Sequence, residues 1–192
     1  LAILKAALAE PLDEAERALF GRLCGDRGLP AAQVRELVIA AGRGAGKTQA
    51  AALATIALSV CRRWRVSPGQ VPVALLMAAD RPQAAVAFRF VRGLLDASPL
   101  LRREVADTTQ QRIVLRSGVE IEVVSSDYRS VRGRSLVAAV CDELAFWPTS
   151  PASASPDTEV LTALRPGLAR FPGSMLVCIS SVYGQAGALY DY

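Results

Sequence analysis

The chain has 192 residues, 52% of them hydrophobic, and a formal net charge of +4. That length accommodates one sizeable α/β domain, and no apolar run approaches the ~18 residues of a membrane span. Four cysteines stand singly and histidine is absent, which argues against a zinc site and for buried, reduced thiols in a cytosolic protein. The N-terminus carries no secretory signal pattern. The chain begins at Leu1 rather than Met and stops at Tyr192 inside an expected helix, so a fragment of a longer protein is expected.

In chain order, residues 1–9 read as a helix end. Asp13 is placed to cap a helix running to about Leu23, with Leu12, Ala15, Leu19 and Leu23 on one face. Gly25, Gly28 and Pro30 break it, residues 31–36 read as a short helical turn, and the first core strand follows at 37–41. A glycine-rich loop leads into a helix over 47–63. The apolar run 71–78 suits a parallel strand covered on both faces. Residues 82–97 form a helix with Ala85, Phe88, Val91, Leu94 and Leu95 as its stripe, and Ser98-Pro99 restarts a short helix to Val105.

The pattern then changes. Residues 112–116 and 119–124 alternate apolar and polar around Ser117-Gly118, which predicts a hairpin with a two-residue turn. A polar loop carries Arg129, Arg132 and Arg134, and 136–141 is the next buried strand. After a Ser/Pro-rich surface loop come a helix over 157–164, a strand over 175–180 and a final helix over 184–192. Such alternation predicts an α/β fold, a mainly parallel sheet with helices on both faces and a β-hairpin insertion, in a single domain over 1–192.

The strand–loop–helix around Gly42-Arg43-Gly44-Ala45-Gly46-Lys47-Thr48 is the plan of a phosphate-binding P-loop. Glycines let backbone N–H groups turn toward phosphate oxygens, and the helix N-terminus adds its positive dipole end. Lys47 is placed to reach the β- and γ-phosphates of ATP, and the Thr48 hydroxyl to ligate Mg²⁺. Ala41 stands where the full pattern has its first glycine, and the bland alternative is a turn that binds nothing.

The strand 136–141 ends in Asp142-Glu143, a Walker B arrangement about 95 residues beyond the P-loop. Asp142 is the candidate Mg²⁺ partner, and Glu143 the candidate base for the water that attacks the γ-phosphate. The alternative is a pair of solvated acids capping the next helix. Between the two motifs lie the strand over 71–78 and the hairpin, and an extra strand between the Walker strands, with a catalytic glutamate, marks the additional-strand class of P-loop NTPases.

With these residues in hand, the chain resembles the ATPase domain of the large terminase subunit of tailed bacteriophages, the motor that packages DNA. The likeness rests on the arginine early in the Walker A loop, on Ala78-Ala79-Asp80-Arg81-Pro82-Gln83-Ala84, and on Val131-Arg132-Gly133-Arg134-Ser135. It rests also on Cys141-Asp142-Glu143-Leu144-Ala145-Phe146-Trp147 and Ile179-Ser180-Ser181-Val182-Tyr183-Gly184. Val182 departs from the proline of many relatives.

The resemblance implies Mg²⁺-dependent ATP hydrolysis that drives double-stranded DNA into a procapsid. It implies a portal protein and a small terminase subunit as partners, a homo-oligomeric ring, the host cytoplasm and no membrane. It casts Arg132 as an arginine finger acting on a neighbour, with Arg129 and Arg134 as competitors and a surface or DNA-phosphate arginine as the alternative. Arg43 would act in cis or only pack. Ser180 and Ser181 would form the coupling motif, and Gln33 a contact to adenine. The family's nuclease domain would follow the coupling motif, so no DNA cleavage is expected of residues 1–192. The rival readings are a helicase-like DNA-dependent ATPase and a slow nucleotide-binding switch. Arg62, Arg63 and Arg65 read as a solvated helix end, and the DNA surface stays undefined.

Overall fold

The structure is a computed structural model that describes residues 1–25, 27–126, 131–150, 153 and 156–192. Arg129 lies outside the described residues. The elements, in order, are α1 (Ala2–Ala7), α2 (Glu14–Cys24), β1 (Glu36–Ala40), α3 (Lys47–Ser59), β2 (Pro72–Ala78), α4 (Arg81–Ala97) and α5 (Pro99–Arg103). There follow β3 (Val105–Thr108), β4 (Arg112–Leu115), β5 (Glu120–Ser125), β6 (Ser135–Asp142), a 3-10 turn (Leu144–Phe146), α6 (Asp157–Leu168), β7 (Met175–Ser180) and α7 (Ala188–Asp191).

One seven-stranded sheet has the order β1-β7-β6-β2-β5-β4-β3. The pairs from β1 across to β5 are parallel, and β4 and β3 add antiparallel ladders at one side. The strand inserted between the Walker A strand β1 and the Walker B strand β6 is therefore β7, which comes last in sequence, while β2 lies beyond β6.

Each central strand buries both faces, as parallel strands under two helical layers must. On β2, Ala74 and Leu76 join the core built with α3 and α4, which also holds Ile56, Phe88 and Val91. Val73, Leu75 and Met77 point the other way, into the core built with Val160, Leu161 and Leu164 of α6. This period of two on a uniformly apolar strand fixes its register against both layers.

Several elements differ from their sequence expectations. The hairpin loop spans three residues: Leu115 N–H donates to Val119 O at 2.8 Å and Gly118 N–H to Leu115 O at 2.9 Å. Gly118 takes φ +84°, the left-handed position such a loop needs. The hairpin is no appendage, because β5 pairs in parallel with β2 and β3 completes a meander. Helix α2 turns a different face inward: its Asp13 capping box forms, but Phe20 is buried while Leu19 and Leu23 stay exposed. No helical turn precedes β1 at 31–36. Helix α3 stops at Ser59, where the Thr55 and Ser59 hydroxyls bond back to Ala51 O and Thr55 O. Helix α6 continues past Pro166, and the final helix is confined to Ala188–Asp191.

Candidate functional site: the cleft at the exit edge of the sheet

In a parallel sheet, side chains just beyond the C-terminal ends of the strands converge on one edge, here called the exit edge. β1 delivers the glycine loop there, β6 delivers Asp142-Glu143, and β7 delivers Ser180-Ser181. They meet in a cleft of ≈ 730 Å³ lined among others by Arg43, Lys47, Thr48, Asp142, Glu143 and Ser181.

The loop turns through Gly44 (φ +76°) and Gly46 (φ +77°), and α3 begins at Lys47. Gly42, Gly44, Ala45 and Gly46 are exposed, so the loop backbone is open to a ligand. Lys47 itself is only 8% exposed. Its ammonium donates to Gly42 O at 3.1 Å and lies 3.6 Å from Glu143 Oε1. Arg43 stands on the rim, exposed, and lines the cleft.

Asp142 is 5% exposed. Burial pushes its carboxyl above the usual range, the neighbouring Glu143 charge adds to that, and the Glu143 N–H, Lys47 and a hydrogen bond from Thr48 pull it back. A buried carboxylate that pays this desolvation, hydrogen-bonded to a threonine hydroxyl, fits one face of a Mg²⁺ donor set. No cluster of three or more His, Cys, Asp or Glu exists among the described residues. Thr48 and Asp142 would thus share such an ion with nucleotide phosphates and water rather than cage it.

Glu143 has a left-handed backbone (φ 53°, ψ 43°), uncommon for a side chain with a Cβ. The turn is pinned from several sides. Glu143 N–H donates to Asp142 Oδ1 at 3.0 Å, and the Trp147 indole donates to Asp142 O at 3.1 Å. Ala145 N–H donates to Ser180 Oγ at 3.0 Å. The turn aims Glu143 back at β7, where Ser181 N–H donates to its Oε2 at 3.3 Å. Ser180 Oγ lies 3.5 Å from the same oxygen and 3.0 Å from Ser181 O, two acceptors for one hydrogen.

Two expected site residues lie elsewhere. Gln33 precedes β1, so strand polarity puts it at the opposite, entry edge. Its amide donates to Gly173 O at 2.6 Å and its carbonyl accepts from Arg62, so the expected adenine contact has no counterpart in the cleft. Arg132 lines a separate cavity of ≈ 570 Å³ with Arg134, Arg170 and Thr158, away from the cleft of its own chain. Arg134 is ion-paired with Glu122. The structure also brings in Gln83, Val86 and Phe90 from α4, and Phe146, whose ring lies 4.8 Å from that of Tyr183. Of these, Gln83 and Phe146 lie in segments that carry the sequence likeness, residues 78–84 and 141–147. The others needed the packing of α4 against α3.

Glycine loop, buried lysine, paired carboxylates and an inserted β7 together define a P-loop nucleoside triphosphatase fold. Within that class, the fold is that of phage large terminase ATPase domains. The HK97 bacteriophage large terminase superposes with a TM-score of 0.64 at 20% identity, over 96% of this chain and 39% of that one. An arginine-to-alanine mutant of the Thermus phage P74-26 large terminase ATPase domain gives 0.63 at 16% identity, over 97% and 71%. The P74-26 domain without that change gives 0.59 at 16% identity, over 94% and 68%. This chain thus spans about two fifths of the HK97 protein. No protein-family model matches the sequence, and no curated protein matches it.

Proposed function

We propose that this chain is the ATP-hydrolysing module of a viral DNA-packaging motor. The observation that carries the reading is the convergence of Lys47, Thr48, Asp142 and Glu143 on one cleft, with β7 holding Glu143. ATP would seat its phosphates in the backbone N–H groups of the loop, and Lys47 would exchange Gly42 O and Glu143 for phosphate oxygens. Thr48 and Asp142 would hold Mg²⁺, which supplies charge neutralisation on the β- and γ-phosphates. Glu143, released from Lys47 but still held by Ser181 N–H, would orient a water and accept its proton. Arg43 would face the phosphates from the rim.

Arg132, outside its own cleft, would act only on a neighbouring subunit, which favours a shared site in a ring. Ser180 and Ser181, bonded to Glu143, would couple phosphate loss to the segment after β7. Double-stranded DNA, a portal protein and a small terminase subunit are the partners this reading implies.

The test is ATP turnover per chain against protein concentration, with Lys47→Ala as blank and Arg132→Ala beside the parent. Specific activity that climbs with concentration, and flattens in Arg132→Ala, supports the shared site. Appreciable, concentration-independent activity indifferent to Arg132 would favour the helicase-like or switch reading.

A further inference from the structure

The four segments that enter the parallel strands β1, β2, β6 and β7 lie side by side at the edge opposite the cleft. Register fixes this: Glu36 pairs with Leu176, Ala138 with Met175, and Pro72 with Ser135. These entries are residues 31–35, 60–71, 131–134 and 169–174. They contain seven arginines and no aspartate or glutamate. The nearest acids on the adjoining strands are engaged, Glu36 by Arg165 and Tyr192, Glu120 by Arg112 and Glu122 by Arg134, and Glu159 of α6 lines the cavity that holds Arg132, Arg134 and Arg170.

The entries are also tied to one another. Arg62 donates to Gln33, which donates to Gly173 O. Arg170 Nη1 and Gln70 Nε2 both donate to Ser135 Oγ, at 3.1 and 3.0 Å. Arg35, Arg63 and Arg65 project from this braced floor and are exposed. Four adjacent strands at ~4.8 Å spacing make a row about 15 Å wide before side chains are added.

We propose that this entry edge is a docking surface for the phosphate backbone of duplex nucleic acid. Arginine is the residue suited to phosphate, through its planar fork of donors. A duplex offers a phosphate charge every ~1.7 Å of its axis, so a row of cations meets several at once. An acidic protein would call for apolar anchors at the centre of the contact. The exposed large hydrophobics in these entries are only Val66 and Val71. Single strands would call for aromatic platforms, yet Phe171 is buried and Trp64 packs on it at 5.8 Å. The inference rests on the packaging-motor reading only for the biological identity of the polyanion. Its location leaves the nucleotide cleft free, so ATP and duplex would bind at once.

The experiment measures anisotropy of a fluorescent duplex of about 30 base pairs across a salt series, on the full chain. Arg35→Gln/Arg63→Gln/Arg65→Gln should bind at least tenfold more weakly, and its slope of log K against log salt should flatten by about 0.9 per lost contact. The control Arg81→Gln/Arg89→Gln/Arg92→Gln removes equal charge elsewhere and should bind nearly as the parent does. Lys47→Ala should keep duplex binding while losing ATP turnover, and the entry-edge variant should keep basal turnover, which also reports its folding. Four results would overturn the inference: no parent binding at low salt, equal loss in the control variant, an unchanged entry-edge variant, or polyglutamate competing as well as duplex at equal charge. Each can occur with ATP turnover intact, so failure here is distinct from failure of the ATPase reading.

Discussion

The two edges of the sheet use charge in opposite ways. At the exit edge, Lys47, Asp142 and Glu143 face one another inside a cleft, and each alters its neighbour's environment. At the entry edge, Arg35, Arg63 and Arg65 face water on two of the segments that lead into the strands. Charges turned inward make a site whose parts are interdependent, so single changes there are costly. Charges turned outward act nearly additively and respond to salt. The same sheet supplies both because parallel strands send all their exits one way and all their entries the other.

The largest expected break in this contrast is at the exit edge. Lys47→Ala or Glu143→Gln should lower kcat for ATP by about 10²–10⁴-fold, whereas Arg63→Gln should leave basal kcat unchanged in the same steady-state assay. Next comes Gly167, packed where α6 crosses β6 near the entry edge. A Cβ there would lie 2.8 Å from Arg134 O and 3.0 Å from the Leu136 side chain. Gly167→Ala should cost about 1–3 kcal/mol in denaturant unfolding, with ATP affinity little changed below the transition.

Asp142→Asn separates stability from chemistry. The carboxyl titrates above its ordinary range when folded, so the folded chain binds more protons than the unfolded one between the two values. Stability carried by this group therefore rises as pH falls through the folded value toward the unfolded one, and is lost at neutral pH. The asparagine variant should lose turnover, melt higher than the parent near pH 7 in the absence of nucleotide, and lose that advantage in acid, as thermal scans across pH would read. The smallest effect is expected at Gln33→Ala, which removes hydrogen bonds to Gly173 O and Arg62. A loss of about 0.5–1.5 kcal/mol in stability with an unchanged KM for ATP would sharpen the division between the edges. A raised KM would blur it.

Much of the exit edge was legible in the sequence because its parts are local. The glycine loop follows a strand directly, and Asp142-Glu143 ends one. The contact of Thr48 with Asp142 joins residues 94 positions apart, and only the fold closes it. Gln33 lies at the entry edge, which strand polarity alone separates from the loop at the far end of β1. Strand β3 was missed because it is mostly exposed and shows no alternation. The face of α2 was misread because Leu19 and Leu23 supply the apolar period while Phe20 supplies the burial. The entry edge was legible only in pieces: Arg62, Arg63 and Arg65 read as a solvated helix end and Arg132 and Arg134 as part of one family segment, and only the aligned strands bring the four separate segments to one edge.

The ion pair between Lys47 and Glu143 has a consequence for affinity. Before nucleotide arrives, the lysine already has a tenant, so phosphate must compete with a carboxylate of this same chain. Glu143→Gln evicts that competitor while removing the base. The variant should therefore hold ATP more tightly than the parent and not release it as product, a substrate trap that equilibrium binding of a fluorescent ATP analogue would reveal.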